Sequence, residues 1–403
     1  MNYRQRRTLS LVVLTQFLGA VADNALLVIA IALLVERHAA AWTVPALRII
    51  FYAASLLLAP LAGRTADAWP KSRVIFIGSL AKCIGCALLV CSIHPLLAYA
   101  LVGISASAYG PAKYGILPEF LASSELVGGN AWMEISTVFA ILIGVGASSF
   151  LLSDDILAMT IAHGSIALHA AACIFVVYAV ATLAALSIPV TRSFPQQTPT
   201  EHSSNLQQFY QDQRLLWRDR EGGIAMAVTC LFWAVAAGLQ FVVLRWGQEV
   251  AHLSPGQSAL LQLPVAGGLI AGATVAGRWI RLSAVLALLP IGLLIGAILV
   301  IIANQHAVHY MVVLLALIGV LSGCLLIPMN ALLQHRGAVL MRTGQSVAVQ
   351  GFGENGASVL LLSAYGALLT IGAPLSAITA GFGFMVMLAV LAMMRWNRIL
   401  AVG

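Results

Sequence analysis

Long apolar segments separated by short polar ones make up most of this chain. We interpret twelve of these segments as membrane-spanning helices, because each is close to the roughly 20 residues needed to cross the hydrocarbon core of a bilayer. Their approximate bounds are 9–35, 44–63, 74–93, 95–117, 126–152, 165–188, 223–247, 257–277, 283–303, 308–333, 344–370 and 374–394. The pattern therefore predicts an all-α integral membrane protein.

A long polar stretch, residues 189–222, divides the predicted spans into two sets of six. We accordingly predict an N-terminal six-helix bundle over 1–188, a cytoplasmic linker over 189–222 and a C-terminal six-helix bundle over 223–403. Apolar residues recur at roughly helical spacing within the linker: Leu206, Phe209, Tyr210, Leu216 and Trp217. This spacing predicts a helix, lying either on the cytoplasmic membrane surface or in solution.

The composition and the placement of charges agree with this interpretation. Only 9% of the residues are charged and 61% are hydrophobic, whereas about a quarter of the residues in a typical soluble domain are charged. If the N-terminus is cytoplasmic, all but four of the 21 lysines and arginines fall in cytoplasmic segments, where basic residues accumulate. The exceptions are Arg37, Arg48, Lys82 and Arg245. We therefore predict that both termini are cytoplasmic, and that the net charge of +7 reflects topology rather than nucleic-acid binding.

Two local patterns do not alter this interpretation. Three arginines precede the first apolar run, as in a secretory signal. The run is longer than the roughly 7–15 residues of a signal core, however, and it contains Asp23 and Asn24. Cys83 and Cys86 form a C-x-x-C pattern without further ligands nearby, so we expect small apolar packing and no metal or cofactor.

The two halves show weak internal similarity at an offset near 215 residues. Three pairs of positions correspond: Gly63-Arg64 with Gly277-Arg278, Pro111 with Pro328, and Gly129-Asn130 with Gly344-Gln345. Weak repeats of this kind are typical of transporters that arose by duplication.

The loop between spans two and three, residues 63–73, reads GRTADAWPKSR. With the arrangement of six and six spans, it resembles the signature loop of the major facilitator superfamily. Gly63 permits close helix approach, Asp67 can pair with a neighbouring arginine or cap a helix N-terminus, and Arg73 lies at the basic end. The loop helps to lock one conformation in that family, so the resemblance implies a gating role for Gly63, Asp67 and Arg73. The second copy, residues 277–281, lacks the acidic residue, which argues against a symmetrical gate.

Charged side chains inside the predicted spans are candidates for function, because each costs about 2.5–3.5 kcal/mol at the centre of a helix on insertion scales. Asp23 and Asn24 lie in the middle of span one, and Lys113 and Tyr114 lie near the cytoplasmic end of span four. We interpret these residues as substrate contacts; the alternatives are a buried pair that only holds helices together and an interfacial lysine. Lys82, in span three, we interpret as structural.

Other polar residues occur in spans five, seven and eleven. Glu134, Glu354 and Asn355 are candidates to line a cavity, to bind a ligand cation or to carry a proton, and a structural pair is an equal alternative. Gln240 and Arg245 in span seven do not share one helix face. Arg245 lies near the outer end, where it could bind an anionic head group or act as an interfacial anchor.

Four short segments carry a second resemblance. They are ADNALL at 22–27, PAKYGIL at 111–117, NALLQ at 330–334 and GEN at 353–355. Together they closely resemble the bacterial lysophospholipid transporter family within the major facilitator superfamily, over essentially the whole chain. The resemblance implies transport of lysophospholipids, chiefly lysophosphatidylethanolamine, from the periplasmic to the cytoplasmic leaflet of the inner membrane. There an acyltransferase acting with acyl carrier protein restores the missing chain.

The resemblance also implies roles for individual residues. The intramembrane aspartate and the span-four lysine of the family map onto Asp23 and Lys113. The family tends to carry an arginine where this chain has Gln240, with Arg245 about five residues later. The predicted contacts are Lys113 and Arg245 with the phosphate, Asp23, Glu134 or Glu354 with the ammonium, and Tyr109, Tyr114 and Trp233 with the tail. Alternating access through rocking of the two halves would move the substrate.

Two other classes of function remain to be compared with lysolipid transport. A proton-coupled exporter of amphipathic drugs or small solutes would use Asp23, Glu134 and Glu354 as proton carriers, and its transport would depend on the proton gradient. A membrane enzyme is not expected. None of the nine histidines is followed five residues later by aspartate, as in glycerolipid acyltransferases, and the chain has no Gly-Lys-Ser/Thr phosphate loop.

Overall fold

The computed structural model describes residues 2–39, 43–152, 166–190 and 205–402. These residues form fifteen α-helices and two short 3-10 helices, and they contain no strand. The α-helices are α1 (Tyr3–Glu36), α2 (Thr43–Ala68), α3 (Lys71–Val90), α4 (Pro95–Gly115), α5 (Leu117–Phe120), α6 (Leu126–Leu151), α7 (Ile166–Leu186), α8 (Asn205–Arg218), α9 (Arg220–Glu249), α10 (Pro255–Leu260), α11 (Gln262–Trp279), α12 (Pro290–Ile302), α13 (Val308–Leu340), α14 (Thr343–Thr370) and α15 (Leu375–Val402). The predicted all-α class is confirmed.

Ten of the helical segments in the described part of the chain are long and apolar enough to cross a membrane. The helices α4 and α14 are not among the ten, although they contain 21 and 28 residues. Both are enriched in polar side chains, with Lys113 in α4 and Gln350, Glu354 and Asn355 in α14. The chain is therefore a multi-pass membrane protein, and the two long helices outside these ten segments carry several of the predicted functional residues.

The predicted linker contains a helix, α8, at Asn205–Arg218. Leu206 and Tyr210 are exposed on it, whereas Asp212 and Leu216 are buried. Residues 191–204 of the predicted linker lie outside the described residues.

The described residues divide into two compact units, of which the first contains residues 1–121, 136–212 and 341–351. Within it, α4 packs against α2 and α3, and α7 packs against α1 and α3. Leu26 and Ile29 of α1, Cys86 of α3 and Tyr178 of α7 belong to its apolar core. The core thus surrounds the part of α1 that carries Asp23.

The second unit contains residues 122–135, 213–340 and 352–403. Its most extensive helix contact joins α11 and α13. Glycines four residues apart face each other across it, Gly268 and Gly272 on α11 and Gly319 and Gly323 on α13. A Cβ atom on Gly272 would lie 2.1 Å from the carbonyl oxygen of Val320. Small residues at this spacing are the usual way for membrane helices to approach closely.

The repeated glycines of the sequence make equivalent contacts in the two units. In the first unit, a Cβ atom on Gly63 would lie 2.9 Å from the Cβ of Ala348, near the start of α14. In the second unit, a Cβ atom on Gly277 would lie 2.7 Å from the Cβ of Ala131, near the start of α6. Each glycine lies near the C-terminal end of an apolar helix and close to the first turns of another helix, and its lack of a side chain allows the two helices to approach.

Candidate functional site

Asp23 lies within a polar cluster in the first unit, where α1, α3 and α7 meet. Lys82 Nζ lies 2.5 Å from Asp23 Oδ2, and the hydroxyl of Tyr178 donates to Asp23 Oδ1 at 2.7 Å. The Lys82 side chain is 5% exposed and that of Asp23 is 25% exposed. Both carboxylate oxygens therefore have a partner, and the pairing offsets the cost of placing each charge among apolar helices.

Lys113 forms a second polar cluster in the same unit. Its ammonium group donates to Gln16 Oε1 at 2.7 Å and lies 4.6 Å from the centre of the Tyr114 ring. Gln16 in turn donates through Nε2 to Thr137 Oγ1 on α6 at 2.7 Å. An amide oxygen and an aromatic face are therefore among the groups that hold this cation in place.

Tyr109 links the two clusters. Lys82 Nζ lies 4.6 Å from the centre of its ring, and Lys113 Nζ lies 6.0 Å from the same centre. Tyr109 is itself buried. Two cations and one carboxylate are therefore arranged around a single aromatic ring. Asn24, predicted as a substrate contact, donates to the carbonyl oxygen of Ala20 in its own helix.

Three residues that contact Asp23 or Lys113 directly are not among those that the sequence predicts as functional. The sequence pattern assigns Lys82 a structural role and does not single out Gln16 or Tyr178. Gln16 lies seven residues before Asp23, which places the two side chains on one face of α1, and this spacing is a signal that sequence reasoning could have used. Tyr178 lies 155 residues from Asp23, and the local sequence contains no sign of the contact.

The predicted gating residues separate into two groups. Asp67 accepts hydrogen bonds from the backbone amides of Gly344 and Gln345, both at 2.8 Å, at the start of α14. It also lies 3.0 Å from Lys71 Nζ, which contacts Glu119 at 2.6 Å. Asp67 thereby caps a helix N-terminus, where a negative charge is favourable.

Gly63 packs against the same segment, as described above, whereas Arg73 is exposed on the first turn of α3. The basic partner of Asp67 in the structure is Lys71.

The start of α6 is held differently. Asn130 and Gln334 exchange two hydrogen bonds between their side-chain amides, at 2.9 and 2.8 Å, and both are buried in the second unit. The two helix starts therefore use different chemistry, a carboxylate at α14 and a neutral amide pair at α6. This agrees with the absence of an acidic residue in the second copy of the loop.

The remaining predicted contacts lie in the second unit. Glu134 is buried on α6, and Glu354 and Asn355 are partly buried on α14. Beside them, Gly353 packs against Met226 and Cys230 of α9. In the part of the chain that the structure describes, no group of three His, Cys, Asp or Glu side chains could hold a metal ion.

Gln240 and Arg245 have separate surroundings on α9. Arg245 pairs with Glu249 one turn later, and both side chains are well exposed. The backbone oxygen of Gln240 accepts a hydrogen bond from Gln262 Nε2 at 3.2 Å. Gln240 and Trp233 also line a cavity of about 220 Å³ inside the second unit.

The chain is similar to known transport proteins over most of its length. The family model of the Major Facilitator Superfamily matches residues 12–359. A protein of Photorhabdus laumondii named "Lysophospholipid transporter LplT" is 36% identical over 97% of this chain and 96% of its own length. A protein of the same name from Enterobacter is 36% identical over 95% of this chain and 94% of its own length.

Solved structures share the fold at low sequence identity. The Escherichia coli fucose:proton symporter FucP superimposes with a TM-score of 0.76 at 15% identity, covering 96% of this chain and 98% of the symporter. The human organic anion transporter MFSD10 superimposes with a TM-score of 0.72 at 14% identity, covering 98% of this chain and 100% of the transporter. The family model and the solved structures confirm the predicted transporter fold. The named relatives confirm the prediction that the chain is a transport protein and not an enzyme. The chain belongs to the Major Facilitator Superfamily and, within it, to the family that the lysophospholipid transporter relatives represent.

Proposed function

We propose that this protein transports lysophospholipids, chiefly lysophosphatidylethanolamine, from the periplasmic to the cytoplasmic leaflet of a bacterial inner membrane by alternating access. The observation that carries the proposal is the similarity, over nearly the whole chain, to relatives named as lysophospholipid transporters. A lysolipid has one acyl tail and a charged head group, so its carrier needs charged groups of both signs within apolar surroundings. The cluster around Tyr109 supplies these groups.

The proposed topology has twelve spans in two halves, 1–188 and 223–403, joined by the linker 189–222, with both termini cytoplasmic. The placement of the basic residues supports this arrangement. The lengths of α4 and α14 support it too, since 21 and 28 residues extend over roughly 32 and 42 Å of helix. Polar spans of this kind occur where a helix faces protein or a water-filled cavity rather than lipid.

The pairing of Asp23 with Lys82 suggests how a zwitterionic head group is bound. An ethanolamine ammonium can replace Lys82 at the Asp23 carboxylate, and the phosphate of the same molecule, which carries one negative charge, can then pair with Lys82 while Lys113 donates a further hydrogen bond to it. The exchange leaves neither Asp23 nor Lys82 without a partner, which matters because an unpaired buried charge costs several kcal/mol. Asn24 and Tyr114 complete this part of the proposed site.

In the second unit, the proposed substrate contacts are Glu134, Gln240, Arg245, Glu354 and Asn355. Arg245 pairs with Glu249 one helical turn away, and both side chains are exposed. Because an exposed ion pair contributes little free energy, Arg245 can release Glu249 at small cost. It is the better of the two span-seven candidates for an anionic group, because Gln240 carries no charge.

Gly63 and Asp67 form the proposed gate, and Lys71 joins them. Release of the start of α14 would break two charge-assisted hydrogen bonds to Asp67. Arg73 remains a proposed member through its positive charge at the same loop.

Reacylation by an acyltransferase acting with acyl carrier protein would consume the transported lysolipid. Removal of the product would then draw the substrate inward without another energy source. Uptake that collapses when only the proton gradient is dissipated would instead favour the proton-coupled exporter.

The test measures conversion of labelled lysophosphatidylethanolamine, added to the outer leaflet of spheroplasts, into diacyl phospholipid. We expect conversion to depend on the protein and to fall at least tenfold with Asp23→Ala or Lys113→Ala, a loss of about 1.4 kcal/mol or more. Arg398→Ala, which removes an exposed cation near the C-terminus, is the matched control. Normal conversion by Asp23→Ala at an equal membrane level would disprove the role of this residue.

A reversed pair separates substrate binding from structural support. In the double variant Asp23→Lys with Lys82→Asp, the ion pair is retained, so the amount of protein in the membrane should be higher than for either single variant and close to that of wild type. Transport should stay as low as in the single variants, because the carboxylate and the ammonium have exchanged positions. Full transport by the reversed pair would show that Asp23 and Lys82 only hold the helices together.

A further inference from the structure

The second unit contains a cavity of about 220 Å³ between helices α9, α11, α12, α13 and α15. Of the twenty described residues that line it, three are polar and uncharged, Gln240, Gln262 and Ser322, and none carries a charge. A charged or strongly polar ligand would lose its hydration there without gaining a partner. The lining therefore suits a hydrocarbon group.

The shape of the cavity narrows the choice of hydrocarbon. Its lining on α9 runs from Val228 to Gln240, which are twelve positions and therefore roughly 18 Å of helix apart. This length is close to half of the roughly 30 Å hydrocarbon core, which is the depth occupied by one acyl chain in a leaflet. An extended alkyl chain matches these dimensions better than a compact ring system.

The polar residues are distributed unevenly along the cavity. Gln240 is the last lining residue on α9 and Gln262 the first on α11, and a hydrogen bond joins them. Gln240 is exposed, whereas Val228, at the opposite end of the α9 lining, is 3% exposed. One end is therefore polar and accessible and the other is apolar and closed, as required for a molecule with one alkyl tail and one polar head.

We infer that this cavity binds the acyl chain of the transported lysolipid and sets the preference for chain length. The inference rests on the proposed lysophospholipid transport and adds a residue-level determinant of specificity to it. Trp233 and Leu299 provide the walls, and the closed end near Val228 limits the length of chain that fits. A longer chain gains affinity only while each added methylene is still buried.

The experiment compares lauroyl and stearoyl lysophosphatidylethanolamine in the spheroplast assay. Ala236 lines the cavity, and Ala236→Leu would fill part of it. We expect stearoyl conversion, relative to wild type, to fall about tenfold, the loss expected when roughly two methylenes can no longer be buried. Lauroyl conversion should change less than twofold. Ala271→Leu, the same change at an exposed position of α11 outside the cavity, should leave both conversions unchanged.

An equal loss for both chains, or no loss for either, at a normal membrane level would overturn the inference while leaving the proposed transport intact. Failure of the wild-type protein to convert either lipid would overturn both. If Ala236→Leu does not accumulate in the membrane, photolabelling of the wild-type protein tests where the acyl chain binds. A lysophosphatidylethanolamine with a photoreactive diazirine near the end of its acyl chain should label residues that line the cavity on α9, α11, α12, α13 or α15, and labelling confined to other helices would overturn the inference.

Discussion

Asp212 and Asp219 lie on either side of the end of α8, and their carboxyl groups have opposite environments. Burial raises the pKa of Asp212 above its ordinary value of 3.8; the hydrogen bond from Gln208 opposes this effect, and nearby Asp67 adds to it. Its Oδ2 atom has no hydrogen-bond partner among the described residues. For Asp219, burial also raises the pKa, but the hydrogen bonds from Arg336 and the Gly222 amide outweigh it and lower the pKa.

These two shifts predict opposite effects of pH on stability. Asp212 binds its proton more tightly in the folded state, so it stabilises the fold fully below pH 3.8, and this stabilisation is lost as the pH rises through its raised folded pKa. Asp219 stabilises the fold above pH 3.8, and this stabilisation is lost as the pH falls through its lowered folded pKa. As the pH rises, the Tm of Asp212→Asn should therefore increase relative to that of wild type, whereas the Tm of Asp219→Asn should decrease relative to it.

Thermal unfolding of the purified protein in detergent, followed across the acidic range, measures both differences. Each variant serves as the control for the other, because both replace a carboxyl group by an amide. A parallel pH dependence of the two Tm differences would contradict the assigned environments.

At the scale of elements, the contact between α11 and α13 depends on backbone atoms that approach closely. A Cβ atom on Gly268 would lie 2.2 Å from the carbonyl oxygen of Ala316 and 2.9 Å from the amide of Val320. Backbone atoms cannot turn aside as the end of a side chain can, so the helices themselves would have to separate. A Cβ atom on the adjacent Gly267 would have no neighbouring atom within 4 Å and would face open space.

These neighbouring glycines give a matched comparison. Gly268→Ala should destabilise the protein by about 1–3 kcal/mol, because overpacking forces a shift of the backbone. Gly267→Ala should leave the Tm unchanged or raise it slightly, since alanine has the higher helix propensity. Equal Tm values for the two variants would show that the two helices do not pack as closely as described.

At the scale of the whole molecule, the proposed topology depends on whether α4 and α14 cross the membrane. Both helices carry polar residues that lower their apolar character, but both are long enough to span. The basic residues are concentrated on one side of the membrane only if both α4 and α14 cross it, because a missing span would move every later loop to the opposite side.

Labelling of introduced cysteines measures this topology. In a variant without the six native cysteines, a membrane-impermeant maleimide should label His94→Cys and Ile371→Cys in intact spheroplasts. It should label Ser124→Cys only after lysis, because α4 lies between His94 and Ser124. All three positions are exposed, so failure to react reports the side of the membrane. Labelling of Ser124→Cys in intact spheroplasts would contradict the twelve-span arrangement.

The helical class, the membrane setting and the unusual polar positions within the spans could all be predicted from the sequence alone. They could be predicted because the bilayer imposes a requirement on each segment separately: about 20 apolar residues per crossing, with basic residues retained on one side. Asp23 and Lys113 were conspicuous for the same reason, since each is a charge within an apolar segment. The loop around Asp67 could also be interpreted as a capping segment from its local pattern.

The partners of the polar groups, in contrast, are visible only in the packed helices. The pairing of Asp23 with Lys82 and Tyr178, and of Lys113 with Gln16, joins residues that are 59 to 155 positions apart. Helices that are apolar on every side give little sign of which face meets which neighbour, because the periodic contrast that marks the buried face of a soluble helix is absent. The choice of partners is made by helix packing, and it assigned Lys82 to Asp23 and Lys71, rather than Arg73, to Asp67.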